Sequence, residues 1–236
     1  MQDSIRHFVA EFVGTFALVF IGGGAIIVSK LPDSNIGLVE VALAHGIILA
    51  VMVSALMRIS GHFNPAVTLG FMITRRIEAM MAGLYIVAQL VGAIAAAFAL
   101  RFTMPPTAFE AARAGGQAVS IDITASQAIT LEAIATFFLV FVVFGTAVDK
   151  KAPRIGGLAI GLTIAADILA IGPLTGGSMN PARSFGPAFA SQVWEGQLIY
   201  WIGPLIGGAL AALLYDRLFI RHPIELADHG AIEPVP

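Results

Sequence analysis

The chain has 236 residues, of which 58% are hydrophobic and 12% charged, with a formal net charge of −2. Soluble domains average about 45–50% apolar and about 25% charged residues, so disorder and ordinary soluble chemistry are excluded, and the mean hydropathy of +0.88 points to lipid as the solvent. Without a basic surface the chain is no nucleic-acid binder, and with Cys 0 it has no disulfide, thiolate nucleophile or cysteine metal site.

A membrane span needs about 20 mostly apolar residues. Six stretches qualify: Phe8–Val28, Leu38–Met57, Met80–Leu100, Ala128–Val148, Ile155–Ile171 and Leu198–Phe219. The first carries Glu11 inside its apolar run and no evident cleavage site, so it reads as a helix and not as a signal peptide. The fifth is short and glycine-rich. Two further stretches, Asn64–Ile73 and Asn180–Ala190, are too short to span, and each opens with Asn-Pro-Ala. Asn caps a helix and Pro is tolerated in its first turn, so each is predicted to be a half-length helix starting abruptly after a glycine-containing loop. Gly157-xxx-Gly161 and Gly203-xxx-Gly207 suit close helix crossings. Residues 223–236 read as a polar tail after a single channel domain over 1–222.

Positive charge orients the chain. Arg6, Arg58, Arg75, Arg76, Lys150, Lys151, Arg154, Arg217 and Arg221 fall on one side; Lys30, Arg101 and Arg113 fall on the other. This asymmetry places both termini in the cytoplasm. It leaves the cell (inner) membrane and the vacuolar membrane both open.

The chain also repeats itself, over about residues 5–101 and 126–219. Glu11-Phe-Val-Gly-Thr15 recurs as Glu132-Ala-Ile-Ala-Thr136, Asn64-Pro-Ala as Asn180-Pro-Ala, and the Tyr85–Gly92 stretch as Tyr200–Gly207. Each repeat holds three spans. An odd number forces opposite insertion, so the fold class is an all-α membrane protein built on an inverted repeat.

Two half-helices starting at mid-membrane aim orphan N–H groups and positive dipole ends at one place. Such backbone is tolerated only against protein or a water-filled cavity. Asn64 and Asn180 would cap the ends and present amide donors to the lumen. Water oxygen would face them and cations would meet a positive potential. The site suits a neutral polar molecule and resists protons.

With these motifs the chain resembles an aquaporin, of the major intrinsic protein family, from about Ile5 to Phe219. The resemblance rests on Ser60-Gly-His-Phe-Asn-Pro-Ala-Val-Thr68 and Gly176-Gly-Ser-Met-Asn-Pro-Ala-Arg-Ser184. It implies six spans, two re-entrant half-helices meeting at Asn64-Pro65-Ala66 and Asn180-Pro181-Ala182, and a homotetramer in lipid with one pore per subunit. It implies no catalysis, cofactor or metal. It assigns Glu11 and Glu132 to bracing the half-helix loops, and Gln89 to packing or bracing.

The resemblance places a constriction at His45, Ile168, Gly177 and Arg183. This foursome is similar to that of some plant vacuolar-membrane aquaporins, which pass water and ammonia. Ser184, Ala188 and Tyr200-Trp201 agree with water over glycerol. The loop Thr103–Ser126 lacks the His with which that subgroup extends its filter. Asp167 is either an acid at the outer interface or a carboxylate that orients Arg183 or His45. The function expected is passive conduction of water, with ammonia or other small neutral solutes as further permeants. Two alternatives stay open: a proton-coupled secondary transporter using Glu11 and Glu132, and a non-conducting structural member of the fold.

Overall fold

The structure is a computed structural model and describes residues 2–153 and 155–220. The tail expected over residues 223–236 lies outside the described residues, as do Arg154 and Arg221. In chain order the helices are α1 (Gln2–Val28), α2 (Leu38–Leu56), α3 (Pro65–Ile73), α4 (Ala79–Thr103), α5 (Pro106–Ala111), α6 (Ala125–Val143), α7 (Gly156–Thr175), α8 (Pro181–Ser191) and α9 (Ile199–Tyr215). One wide turn extends α6 over Phe144–Val148 and another extends α9 over Asp216–Ile220. Among the described residues six helices are long and apolar enough to cross a membrane. The short α3 and α8 lie between them in sequence.

Local chemistry sets the helix starts. Asn64 Oδ1 accepts from the Ala66 N–H at 2.8 Å, and Asn180 Oδ1 accepts from Ala182 and Arg183 N–H at 3.0 and 3.2 Å. Pro65 and Pro181 take the first helical position, where a missing N–H costs nothing. Thr124 and Gln127 form a reciprocal cap on α6.

Three elements differ from the sequence expectation, the first being α1, which begins at Gln2 rather than Phe8. The fifth span runs to Thr175 rather than Ile171, because Pro173 does not stop it. The helix ends at Gly176, whose φ of +82° favours glycine and whose N–H reaches Gly172 O at 2.8 Å. In lipid, continuing the helix keeps the backbone bonded. The long loop after α4 is partly ordered by α5, which its sequence pattern did not reveal.

The closest packed pairs are α1 with α4, α6 with α9, and α2 with α7. Small residues permit these approaches. A Cβ on Gly46 would lie 2.6 Å from Gly161 O, and one on Gly157 would lie 2.7 Å from Ala50 O. Gly207 sits directly on Ala133 O. Exchanging the two halves preserves the contact pattern: α3 packs against α9, as α8 packs against α4. Each half-helix is thus held by the last helix of the other repeat. Exposed Ile47, Val51, Phe138, Leu162 and Leu210 give the outer faces an apolar coat suited to lipid.

The contrast between two glycines is testable. Gly207→Val forces side-chain atoms into the Ala133 backbone and should destabilise the fold by about 2–3 kcal/mol or more. At Gly83 a Cβ would meet nothing within 4 Å, so Gly83→Ala should be neutral or stabilising by up to about 1 kcal/mol. Thermal unfolding in detergent distinguishes the two.

Candidate functional site

The site is assembled by two buried carboxylates. Glu11 on α1 accepts from the Ser60 hydroxyl and from the N–H groups of His62 (2.9 Å) and Phe63 (2.7 Å), and also from Gln89 Nε2 (2.6 Å). Glu132 on α6 accepts from Thr175 Oγ1 (2.7 Å) and from the N–H groups of Ser178 (2.9 Å) and Met179 (2.7 Å). Each carboxylate thereby satisfies the backbone donors of the extended loop that leads into a half-helix. Gln89 also donates to Thr68 Oγ1 at 3.0 Å, tying α4 to α3.

The loops are locked to each other across the middle of the molecule. Asn64 Nδ2 donates to Met179 O at 2.7 Å, and Asn180 Nδ2 donates to Phe63 O at 2.8 Å. Phe63 and Met179 both adopt left-handed backbone, with φ of +48° and +49°. This uncommon conformation turns each carbonyl toward the opposite Asn. One N–H of each Asn is used in this way, and both residues line the channel.

The channel has two kinds of wall. Leu18, Leu49, Val67, Leu139, Ile160 and Ile164 supply an apolar side; Asn64, Asn180, His45, Arg183 and the loop segments at Gly61-His62 and Gly177-Ser178 supply the polar side. Its cavity is narrow, about 20 Å³. One water needs about 10–15 Å³, so the space is on the scale of a water molecule. A larger vestibule of about 540 Å³ shares Ile168 with the channel, and a smaller one of about 250 Å³ shares Gly61 and His62 with it.

His45, Ile168, Gly177 and Arg183 all border this channel. Gly177 has a φ of +57°, and a Cβ there would come within 3.2 Å of Ile168, so the position contributes backbone only. Arg183 is 2% exposed. Its Nη2 donates to Gly115 O at 2.8 Å, and Nε and Nη2 approach His45 Nε2 at 3.2 and 3.0 Å. The tautomer of His45 follows. Its Nδ1 faces Val41 O at 2.8 Å, which can only accept, so Nδ1 carries the proton and Nε2 accepts from the guanidinium. His45 therefore offers no donor to a permeant.

Gln117 is the residue the sequence did not disclose. With its amide oxygen toward Arg183, it accepts from Nη1, Nε and Nη2 at 2.9, 3.0 and 3.3 Å. Gln117 also borders the larger vestibule. The loop reaches this place through left-handed Ala114 and Gly115; Gly115 packs on Gly23, where a Cβ would meet Gly23 Cα at 2.5 Å. The Ser120 N–H then donates to Leu174 O at 2.8 Å. The loop lacks a His, yet it does bring a side chain to the arginine. No periodicity marks Gln117 in the sequence.

Asp167 is not placed to orient Arg183 or His45. It is 9% exposed, its Oδ2 has no hydrogen-bond partner, and it contacts neither Arg183 nor His45 by hydrogen bond or ion pair among the described residues. One residue along a helix is a rotation of about 100°, which takes Asp167 off the face that Ile160, Ile164 and Ile168 present to the channel.

Comparison with known proteins agrees with this architecture. Residues 1–215 match the Major intrinsic protein family. The chain is 43% identical over 240 residues to Aquaporin TIP4-4 of Zea mays, covering 98% of this chain and 91% of that protein. It is 44% identical over 247 residues to Probable aquaporin TIP3-2 of Arabidopsis thaliana, covering 99% and 91%. The X-ray structure of the aquaglyceroporin from Plasmodium falciparum superposes with a TM-score of 0.80 at 24% identity, covering 92% of this chain and 97% of that one; this likeness concerns the fold.

The bracing carboxylates yield a direct test. Glu132→Gln replaces one acceptor oxygen by a donor, which confronts the Ser178 or Met179 N–H. Leaving a buried donor unmatched costs about 1–3 kcal/mol. The variant should melt several degrees lower and conduct less, as read by thermal unfolding and by osmotic flux in proteoliposomes.

Proposed function

We infer, on the premise that the chain belongs to the major intrinsic protein family, a passive transmembrane channel for water. The protein is an integral, multi-pass membrane protein of a channel family and not an enzyme. The observation that carries the mechanism is the cross-locked pair Asn64–Met179 and Asn180–Phe63 at the mouths of two half-helices.

Both half-helix dipoles direct partial positive charge at the middle of the channel. The remaining Asn N–H groups donate to a passing water oxygen, so the water at the centre has its hydrogens turned outward. A proton wire needs each water to donate onward in one direction, and this orientation interrupts it. Cations are opposed by the same dipoles and by Arg183. The apolar wall contributes no competing hydrogen bonds, which keeps water moving.

His45, Ile168, Gly177 and Arg183 form the selectivity filter in this reading, with Gln117 as a fifth member. The donor at the constriction is Arg183, because the His45 donor is committed to Val41 O and Gln117 turns its amide oxygen to the guanidinium. Ammonia has one lone pair and can exchange hydration for a single donor, so it is a second permeant. Glycerol needs several polar partners along its length together with room for its carbon chain, and it is poorly served. Four copies assemble as a homotetramer, each with its own pore. Both termini face the cytoplasm. Against a proton-coupled transporter, Glu11 and Glu132 are saturated with loop donors and have no rearrangement to drive. Against a non-conducting structural role, a lined channel joins two open vestibules.

Purified protein in liposomes should give osmotic water flux that is linear in the osmotic gradient and indifferent to a pH gradient; saturation with dependence on ΔpH would establish the transporter. Because the wild type has no cysteine, mercurials should leave it open, whereas Ile164→Cys should become blocked. Exchanging His45→Phe together with Ile168→His narrows the filter and should lower ammonia flux about tenfold while water flux persists. Equal ammonia flux in both proteins would remove these positions from the filter.

A further inference from the structure

The half-helix α3 stops in a way that delivers a cation to the permeation path. Its last turn closes at Thr74, and Arg75 then takes left-handed backbone with φ of +61°. The Arg75 N–H donates to Met72 O at 3.0 Å and the Arg76 N–H to Phe71 O at 2.8 Å. This bond pair is a common helix stop, here made without the glycine that suits it. It fixes the backbone from which the Arg76 side chain leaves. That side chain is held on two sides. Its Nη2 donates to Asp216 Oδ1 at 2.6 Å, and its Cζ stands 5.7 Å from the centre of the Phe144 ring, within cation–π range. Phe144 and Asp216 are the first residues of the wide turns that extend α6 and α9. Such turns are rare and recur at functional sites; here both close on one guanidinium.

The ion pair is oriented. Arg76 lines the smaller vestibule and Asp216 does not; the arginine side chain is 26% exposed and the aspartate side chain 4%. The vestibule shares Gly61 and His62 with the channel. It therefore meets the positive end of the pair, with the counter-charge behind it in protein. Among the described residues, Arg76 is the one arginine, lysine, aspartate or glutamate in that lining. The larger vestibule has Lys30 and Arg113, and the channel has Arg183. Every formally charged side chain described along the path is thus a cation. A cation after α3 also suits the negative end of that helix, but this role asks for neither a buried carboxylate nor an aromatic seat.

We propose that Arg76 is a specificity-determining residue that turns cations away in the smaller vestibule, before they reach the centre at Asn64 and Asn180. The guanidinium acts on a permeant through space, over a few ångströms, where water and salt reduce its field without abolishing it. A neutral permeant carries no net charge for it to oppose. Asp216 and Phe144 are positioning residues that keep the guanidinium at the wall and out of the opening. Lys30, Arg113 and Arg183 oppose cations from the larger vestibule, so fixed positive charge stands ahead of the centre on both approaches.

This inference rests on the channel reading, so two measurements are made. The chain has no cysteine, and Ala147 is an exposed residue of the same vestibule wall. Ala147→Cys is labelled in detergent with two methanethiosulfonates of similar size, one ending in an ammonium and one in a sulfonate. Each rate is divided by that reagent's rate with free cysteine. The sulfonate should be favoured about fivefold at low salt, and the preference should shrink at about 1 M salt. Asp149, Lys150 and Lys151 follow in the chain and are common to all variants. Adding Arg76→Gln should lower the ratio about threefold. Arg76→Lys should keep most of it, and Asp216→Asn should raise it by removing the counter-charge. A role confined to packing would change both rates alike and leave the ratio where it was. A ratio near one in Ala147→Cys alone, or a ratio that survives Arg76→Gln, would overturn the assignment; the first of these needs no Arg76 variant to fold. Osmotic flux of the wild type in proteoliposomes is recorded beside the labelling. Absence of water flux with the charge preference intact would instead overturn the channel reading and leave the cationic vestibule standing.

Discussion

A lipid-embedded loop must have every backbone N–H satisfied from within the protein, and here two buried carboxylates meet that demand. Unsatisfied polar groups in hydrocarbon cost several kcal/mol each. Glu11 and Glu132 collect the donors of the two extended segments, which allows helices to begin at mid-membrane. Everything functional hangs on those beginnings. The positive ends of α3 and α8 can be directed at a lumen only because the chain leading into them is held extended, with Phe63 and Met179 in left-handed conformation.

The carboxylates are placed by close helix packing. Gly92 lets α4 approach Phe12 of α1, and Gly203 and Gly207 bring α9 onto α6 beside Glu132. Side chains at these glycines would separate the helices and withdraw the acids from the loops. Packing and polar satisfaction are therefore one requirement at this site. The cross-bonds between Asn64 and Met179 and between Asn180 and Phe63 then join the two halves into a single narrow aperture, which suits rigid and passive conduction.

Arg183 is held one level out from these cross-bonds. Its guanidinium is bound by His45, Gly115 O and Gln117, three groups from two segments distant from it in sequence. They position the cation and absorb part of its donor capacity. The aperture is consequently polar on one side, with few free donors, and Ile168 closes the other side.

Hydropathy and the doubled motif made most of the architecture readable from residues alone. Six apolar runs, two short runs opening with Asn-Pro-Ala and the recurrence of Glu11 as Glu132 are consequences of local composition and internal symmetry. They require no knowledge of what touches what, because lipid permits few alternatives to a bonded helix. The extent of α7 beyond Pro173 depended on where a left-handed Gly176 could end the helix. The proton on His45 was decided by Val41 O on one side and Arg183 on the other. Gln117 was decided by a loop folded through Ala114 and Gly115 onto Gly23. The last two features arise from contacts between segments remote in sequence, and in a loop without periodicity no local preference records Gln117. Asp167 shows the same limit: its type and position left an interface acid and an orienting carboxylate both open, and only the rotation of α7 takes it off the face that lines the channel.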